Sequence, residues 1–159
     1  MQLYRDGGKR LVDIVIAGVG LFALAPVMLC IALVNRLSDG GPILFCQERM
    51  GKDFSKFQLF KFRTMVVNAD KAGLAITKGT DPRITKVGKF LRHYKLDELP
   101  QLFNVLKGDM SLVGPRPEVE KYVLLFKSQY EHILTIRPGI TDYAALEYRN
   151  EEEILNRYE

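Results

Sequence analysis

Cysteine and histidine are scarce in this chain of 159 residues, with two of each. Cys30 and Cys46 form no CxxC pair and have no histidine at ligand spacing. That excludes a disulfide framework and a zinc site as the basis of the fold, and it fits a reducing, cytosolic setting. His93 and His132 each stand alone, so both read as structural or solvated rather than as metal ligands. Internal repeats, low-complexity segments and clear linkers are absent, and a chain of this length suits a single domain that buries most of its surface. Recognised nucleic-acid motifs are absent too. The formal charge of +4 therefore fits an anionic membrane surface or nucleotide phosphates better than nucleic acid.

Charge itself is missing from one place, Ile14 to Val34, a run long enough to cross a bilayer. A secretory signal is excluded, because no small-residue cleavage site precedes the basic region that follows. Lys9 and Arg10 stand before the run, and Arg36, Arg49 and Lys52 after it. Both flanks prefer the cytoplasm by the positive-inside rule, which a single pass cannot satisfy. Pro26, after Ala25, divides the run, and the apolar piece before it makes only roughly 18 Å of helix. A helix–break–helix hairpin at Ala25-Pro26, entering and leaving by one face, resolves the conflict; a kinked single pass is the alternative.

Beyond the run, Ile43 to Glu48 and Phe57 to Thr64 read as a β-hairpin around Gly51-Lys52-Asp53. Period two sets Lys61 and Arg63 on one face and Phe60 and Phe62 on the other. Residues 69–80 read as a loop or short helix. Ile84, Val87, Leu91 and Tyr94 mark a helix whose other side carries Lys86, Lys89 and His93, suited either to the lipid headgroup layer or to a plain surface. From Pro117, the residues Val119, Tyr122, Val123, Phe126, Tyr130 and Ile133 share one helical face, and residues 151–155 begin a further helix.

The chemistry concentrates in Lys95-Leu96-Asp97-Glu98-Leu99-Pro100-Gln101-Leu102. Leu99, Leu102, Phe103 and Leu106 recur at helical spacing and Gly108 suits the stop, which puts Asp97 near the N-cap. Asp97 is then either an ordinary cap or a nucleophile kept ionised by free N–H groups and the helix dipole. Arg92 and Lys95 precede the pair. Downstream, Gly114-Pro115-Arg116-Pro117 is a rigid turn that fixes one guanidinium, a geometry suited to bidentate phosphate contact. Cations around paired carboxylates suit a magnesium-bound diphosphate, or else a solvated basic surface.

These motifs, taken in order, carry a resemblance. Gly41-Pro42-Ile43-Leu44-Phe45 through Gln47-Glu48-Arg49-Met50-Gly51, Lys61-Phe62-Arg63-Thr64-Met65, Asp81-Pro82-Arg83-Ile84-Thr85-Lys86-Val87-Gly88, Leu96-Asp97-Glu98-Leu99-Pro100-Gln101, Gly114-Pro115-Arg116-Pro117 and Arg137-Pro138-Gly139-Ile140-Thr141 resemble the bacterial sugar transferases, the small monotopic phosphoglycosyl transferases. The resemblance covers roughly residues 8 to 150. It implies an α+β, mainly helical fold: a re-entrant membrane helix over residues 1–40, then a catalytic unit at the membrane interface over residues 41–159, with a small β-hairpin and amphipathic interfacial helices around the site. It implies placement on the cytoplasmic face of the bacterial inner membrane and allows a homodimer.

The implied reaction moves a sugar-1-phosphate from a UDP-sugar to a polyprenyl phosphate, giving polyprenyl diphosphosugar and UMP. Asp97 would be the nucleophile and Mg²⁺ ligand, Glu98 its catalytic partner, and Lys61, Arg92, Arg116 and Arg149 the phosphate and nucleotide contacts. Two features depart from the family. Asp142-Tyr143-Ala144-Ala145 replaces its usual Gly-Leu-Ala-Gln, and the C-terminal part reads as shorter than in typical members. The competing readings are a membrane-anchored basic docking module and an inactive truncated member.

Overall fold

In the computed structural model the described residues are 7–69, 81–143 and 147. The uncharged run lies within α1, Lys9–Asp39, a helix closed by Gly40 in the left-handed conformation with its N–H on the Arg36 carbonyl. It is the one helix among the described residues long and apolar enough to cross a membrane. The expected division at Ala25-Pro26 is not present, and α1 is one helical element with Pro26 inside it. Proline removes a single backbone hydrogen bond. The helix is buried against the folded body on both sides of it, at Ala17 and at Ile31.

Two stripes run the length of α1. Asp13, Ala17, Ile31 and Asn35 are buried along one side, whereas Leu11, Val15, Val19, Phe22, Leu29, Leu33 and Leu37 are exposed along the other. These positions fall on opposite faces at 100° per residue. The inner stripe is buried against the rest of the protein near both ends of the helix. Near its start, Asp13 accepts from Ser111 Oγ at 2.8 Å and from the Leu112 N–H at 3.2 Å. Near its finish, Asn35 Nδ2 donates to the Arg63 carbonyl at 3.0 Å. Lys9 pairs with Asp13, and Arg10 donates to the carbonyls of Val105 and Leu106. Lys9, which also bonds Ser111, and Arg10 thus anchor the start of the helix to the folded body.

The hairpin forms as the sequence suggests. Strands β1, Leu44–Met50, and β2, Lys56–Phe62, pair antiparallel from Leu44 opposite Phe62 to Met50 opposite Lys56. Helix α2, Lys86–His93, is capped by Thr85, whose Oγ1 accepts from the Gly88 N–H at 2.8 Å. It lies so close to the end of the hairpin that a Cβ at Gly88 would fall 1.9 Å from the Thr64 carbonyl oxygen. Its inner side, Val87 and Leu91, joins Met28, Ile31 and Ala32 of α1 and Phe62 of β2 in one apolar cluster. Full burial of a side chain such as Leu91 contributes about 1.5–3 kcal/mol.

Helix α3, Gln101–Lys107, keeps only part of the expected apolar face inward: Leu99 and Leu102 pack against the core clusters. Gln101, Asn104 and Val105 are buried while Phe103 and Leu106 stay largely exposed. Asn104 decides the rotation. Its Oδ1 accepts from the Phe60 N–H and its Nδ2 donates to the Gln58 carbonyl, which satisfies the outer edge of β2. The predicted helix after Pro117 is two helices, α4, Glu120–Leu125, and α5, Lys127–Ile133, parted where Phe126 leaves helical geometry. Only Val123 of its apolar face is fully buried, with Met50 and Leu134. A short parallel pair completes the fold: β3, Ser111–Val113, beside β4, Gly139–Thr141. Residues 70–80 and 151–155, on which a loop and a helix start are predicted, lie outside the described residues.

Candidate active site

The carboxylate pair sits in a tight 3₁₀ turn, Leu96–Glu98, entered through Lys95 in the left-handed conformation at φ 56°. Asp97 is therefore not the cap of α3; Pro100 occupies that position. The turn aims the carboxylate inward, leaving Asp97 7% exposed. Its Oδ1 is buried and has no hydrogen-bond partner among the described residues. A cap would have used that oxygen on a backbone N–H, so the geometry discards the cap reading and leaves a carboxylate oxygen able to act on something else.

Glu98 is handled differently. Its Oε1 accepts from Lys61 Nζ at 2.8 Å, in an ion pair of two largely buried side chains. Burial pushes both acids up. At Asp97 burial prevails, with Glu98 adding to it while Lys61 and Arg92 draw the acid back, so its pKa lies above the ordinary carboxylate value. At Glu98 burial is outweighed by the Lys61 charge and hydrogen bond together with the charges of Arg116 and Lys95, so its pKa lies below. Adjacent carboxylates with pKa values driven apart are a recurrent sign of divided chemical roles.

Three of the four predicted phosphate contacts converge here. Lys61 projects from β2 onto Glu98, Arg92 from α2 acts on Asp97, and Arg116 acts on Glu98. Arg92 is steadied by Thr64, whose Oγ1 accepts from its Nε at 2.9 Å. The fourth, Arg149, lies outside the described residues. Arg63 is diverted from the basic set, since its guanidinium donates to the Pro42, Met65 and Asn35 carbonyls and ties the hairpin to the end of α1.

The arginine turn has its own scaffold. Ser111 N–H donates to the Pro138 carbonyl, Gly114 N–H to Thr141, and Gly139 N–H to Pro115. The Gly114-Pro115-Arg116-Pro117 and Arg137-Pro138-Gly139-Ile140-Thr141 motifs are thus two halves of one structure. A Cβ at Gly139 would lie 2.1 Å from the Gly114 nitrogen, so only glycine permits this approach. Two further supports were not among the predicted site residues. Arg49 donates to the Pro117 carbonyl at 3.1 Å and pairs with Glu118 at 3.5 Å. Asp142 Oδ2 accepts from the Arg116 N–H at 3.2 Å. Arg49 belongs to the Gln47-Glu48-Arg49-Met50-Gly51 motif, and Asp142 stands where the chain departs from the family pattern, which are the signals the sequence offers for them. Asp109 is taken by Lys107 and Asn104. The Arg116 side chain itself has neither hydrogen bond nor ion pair among the described residues and reaches solvent.

A buried carboxylate with a spare oxygen, a second held by lysine, and two placed arginines form a site able to receive a phosphate group beside an apolar helix. The model of the bacterial sugar transferase family matches residues 4–159, and the chain belongs to that family. It is 43% identical over 141 residues to a UDP-N-acetylgalactosamine-undecaprenyl-phosphate N-acetylgalactosaminephosphotransferase of Aeromonas hydrophila, covering 86% of this chain and 33% of that protein. It is 42% identical over 160 residues to a UDP-glucose:undecaprenyl-phosphate glucose-1-phosphate transferase of Escherichia coli (strain K12), covering 95% of this chain and 33% of that protein. The exopolysaccharide production protein ExoY of Sinorhizobium fredii (strain NBRC 101917 / NGR234) is 38% identical over 164 residues, covering 94% of this chain and 73% of that protein. The chain therefore spans about a third of the length of the first two of these relatives.

Proposed function

We propose that this protein transfers a sugar-1-phosphate from a UDP-sugar to a polyprenyl phosphate, releasing UMP. The observation that carries the reading is Asp97: buried, turned inward, its Oδ1 without a hydrogen bond among the described residues, with Lys61 and Arg92 acting on it and Arg116 acting on the adjacent Glu98. Asp97 attacks the phosphorus that bears the sugar. An Asp97 O–P bond forms, the P–O bond to UMP breaks, and UMP leaves with the bond's electrons. An oxygen of the lipid phosphate then attacks the same phosphorus and displaces the aspartate, restoring the carboxylate. A carboxylate is a weak nucleophile, so position and neutralised phosphate charge supply the rate. Arg92 and Arg116 hold the phosphate oxygens, and Glu98, fixed by Lys61, serves the acceptor step. Arg149 is assigned to the nucleotide by family position alone.

Among the described residues no cluster of three His, Cys, Asp or Glu side chains is gathered. Mg²⁺ nonetheless fits, because this ion binds through one or two carboxylates plus substrate phosphates and the Asp97 oxygen is available. When bound it supplies charge neutralisation at the diphosphate. Incubating the protein with a UDP-sugar labelled in the sugar, with Mg²⁺ and no acceptor, is expected to leave label on the protein with release of UMP. Absence of both overturns the reading.

The same proposal places both ends of α1 on the cytoplasmic side of the bacterial inner membrane. Asp13 and Asn35 are separated by roughly 33 Å of helix, about the thickness of a bilayer core, yet both are bound to the same folded body. A crossing helix would carry that body through the lipid. The exposed stripe from Leu11 to Leu37 then meets the acyl chains while α2 lies in the headgroup layer. With Cys30 and Cys46 replaced by serine, single cysteines at Gly7 and Ser38 are expected to be equally shielded from an impermeant periplasmic thiol reagent. Labelling of one alone would mean a crossing.

A further inference from the structure

Helix α2 packs on the apolar helix and its Arg92 acts on Asp97, and its outer side is unassigned. Val87 and Leu91 pack on Met28, Ile31 and Ala32 of α1, so wherever α1 meets lipid, α2 lies at its edge. The outer side, with Ile84, Lys86, Lys89, Phe90, Arg92, His93 and Tyr94, lines a hollow of about 380 Å³. Phe90 and Tyr94 are 56% and 59% exposed, with ring centroids 4.8 Å apart, and His93 stands edge-on to Tyr94. No acid lines this hollow among the described residues. Asp81, on which the Arg92 charge acts, is engaged by Arg83 at 2.6 Å. Arg92 lines the hollow and also acts on Asp97, so the hollow and the reacting carboxylate share a residue.

We propose that the outer face of α2 is the entry subsite for the phosphate of the polyprenyl acceptor, with Lys86 and Lys89 drawing it from the membrane surface and Arg92 passing it toward Asp97. The assignment rests on the transferase reading above. Its chemistry is that of an anion on an apolar chain. The two lysines provide attraction at the headgroup level, and Phe90 and Tyr94 provide an amphipathic rim where apolar chain meets water. A UDP-sugar is wholly polar and arrives from the aqueous side, so it gains nothing from exposed rings at a lipid edge.

The two half-reactions separate the possibilities. In neutral-detergent micelles without anionic lipid, the double variant Lys86→Gln, Lys89→Gln is expected to release UMP from UDP-sugar at the unaltered rate when acceptor is omitted. Its KM for polyprenyl phosphate should rise about tenfold, with an unchanged melting temperature. Phe90→Ser should raise the same KM and leave UMP release alone. An unchanged acceptor KM, or a raised KM for UDP-sugar instead, overturns the subsite. So does an effect seen only when anionic phospholipid is added, which would make the face a general lipid contact. If the unaltered protein released no UMP, the transferase reading itself would fall; release with an unmoved acceptor KM would fell only the subsite.

Discussion

Asp97→Asn is expected to lower turnover by at least about a thousandfold while the protein stays folded and melts no earlier than the parent. The chemical half follows from the amide, which cannot form the acyl phosphate and is a poorer Mg²⁺ ligand. The folding half follows from the site. Asp97 does not cap α3, and its buried Oδ1 makes no hydrogen bond among the described residues that the substitution could break. Its elevated pKa means that the folded protein holds the proton more tightly than the unfolded chain does. Ionisation therefore removes stability as pH rises from the unfolded value through the folded one, and the loss persists above that window. Asparagine abolishes the loss, so the variant should match the parent at low pH and equal or exceed it at neutral pH. The same shift predicts that kcat/KM falls on the acid side above the ordinary carboxylate range, since the protonated acid cannot attack. Calorimetry across pH, with UMP release from both proteins, checks each part. Near-normal turnover in a folded asparagine variant would remove Asp97 from the reaction.

The sequence and the structure agree where the deciding interactions are local. The hairpin was legible because β-rich segments flank Gly51-Lys52-Asp53, and α2 because its apolar residues recur at helical spacing behind Thr85. Asp97 and Glu98 were legible as a pair, but their environment was not. A helix-period reading carries α3 back to Asp97, while the actual 3₁₀ turn depends on Lys95 adopting a left-handed conformation, an uncommon state for lysine. The rotation of α3 was hidden for a related reason. Periodicity counts Phe103 and Leu106 as core, whereas Asn104 turns inward to satisfy a strand edge that no local pattern reveals. Arg63 looked equivalent to Lys61 by alternation, yet one holds backbone carbonyls and the other holds Glu98. The dependence of one proline-glycine motif on another appears only once β3 and β4 are paired across nearly thirty residues.

Arg116→Lys should lower kcat/KM for the UDP-sugar roughly tenfold to a hundredfold, the range expected for losing a charge-assisted bidentate contact of about 1.5–3 kcal/mol. Stability should shift by no more than about 0.5 kcal/mol. The competing account makes Arg116 a surface ion-pair residue, worth at most about 1 kcal/mol. Two acids near it in sequence are already engaged: Glu118 by Arg49 and Asp109 by Lys107. Meanwhile the backbone around Arg116 is held by the Asp142 carboxylate on its N–H, by Gly139 on the Pro115 carbonyl and by Arg49 on the Pro117 carbonyl. Pro115 and Pro117 fix their own φ and confine the residue before each. So much restraint on the main chain of an arginine whose side chain has no partner among the described residues makes sense if the guanidinium must meet a target of fixed shape. Lysine keeps the charge and loses the planar fork. The measurement is therefore paired, kcat/KM and melting temperature on one variant at fixed Mg²⁺ and detergent. A large kinetic loss with an unmoved melting temperature assigns Arg116 to the phosphate. Intact kinetics with a small stability loss would return it to the surface.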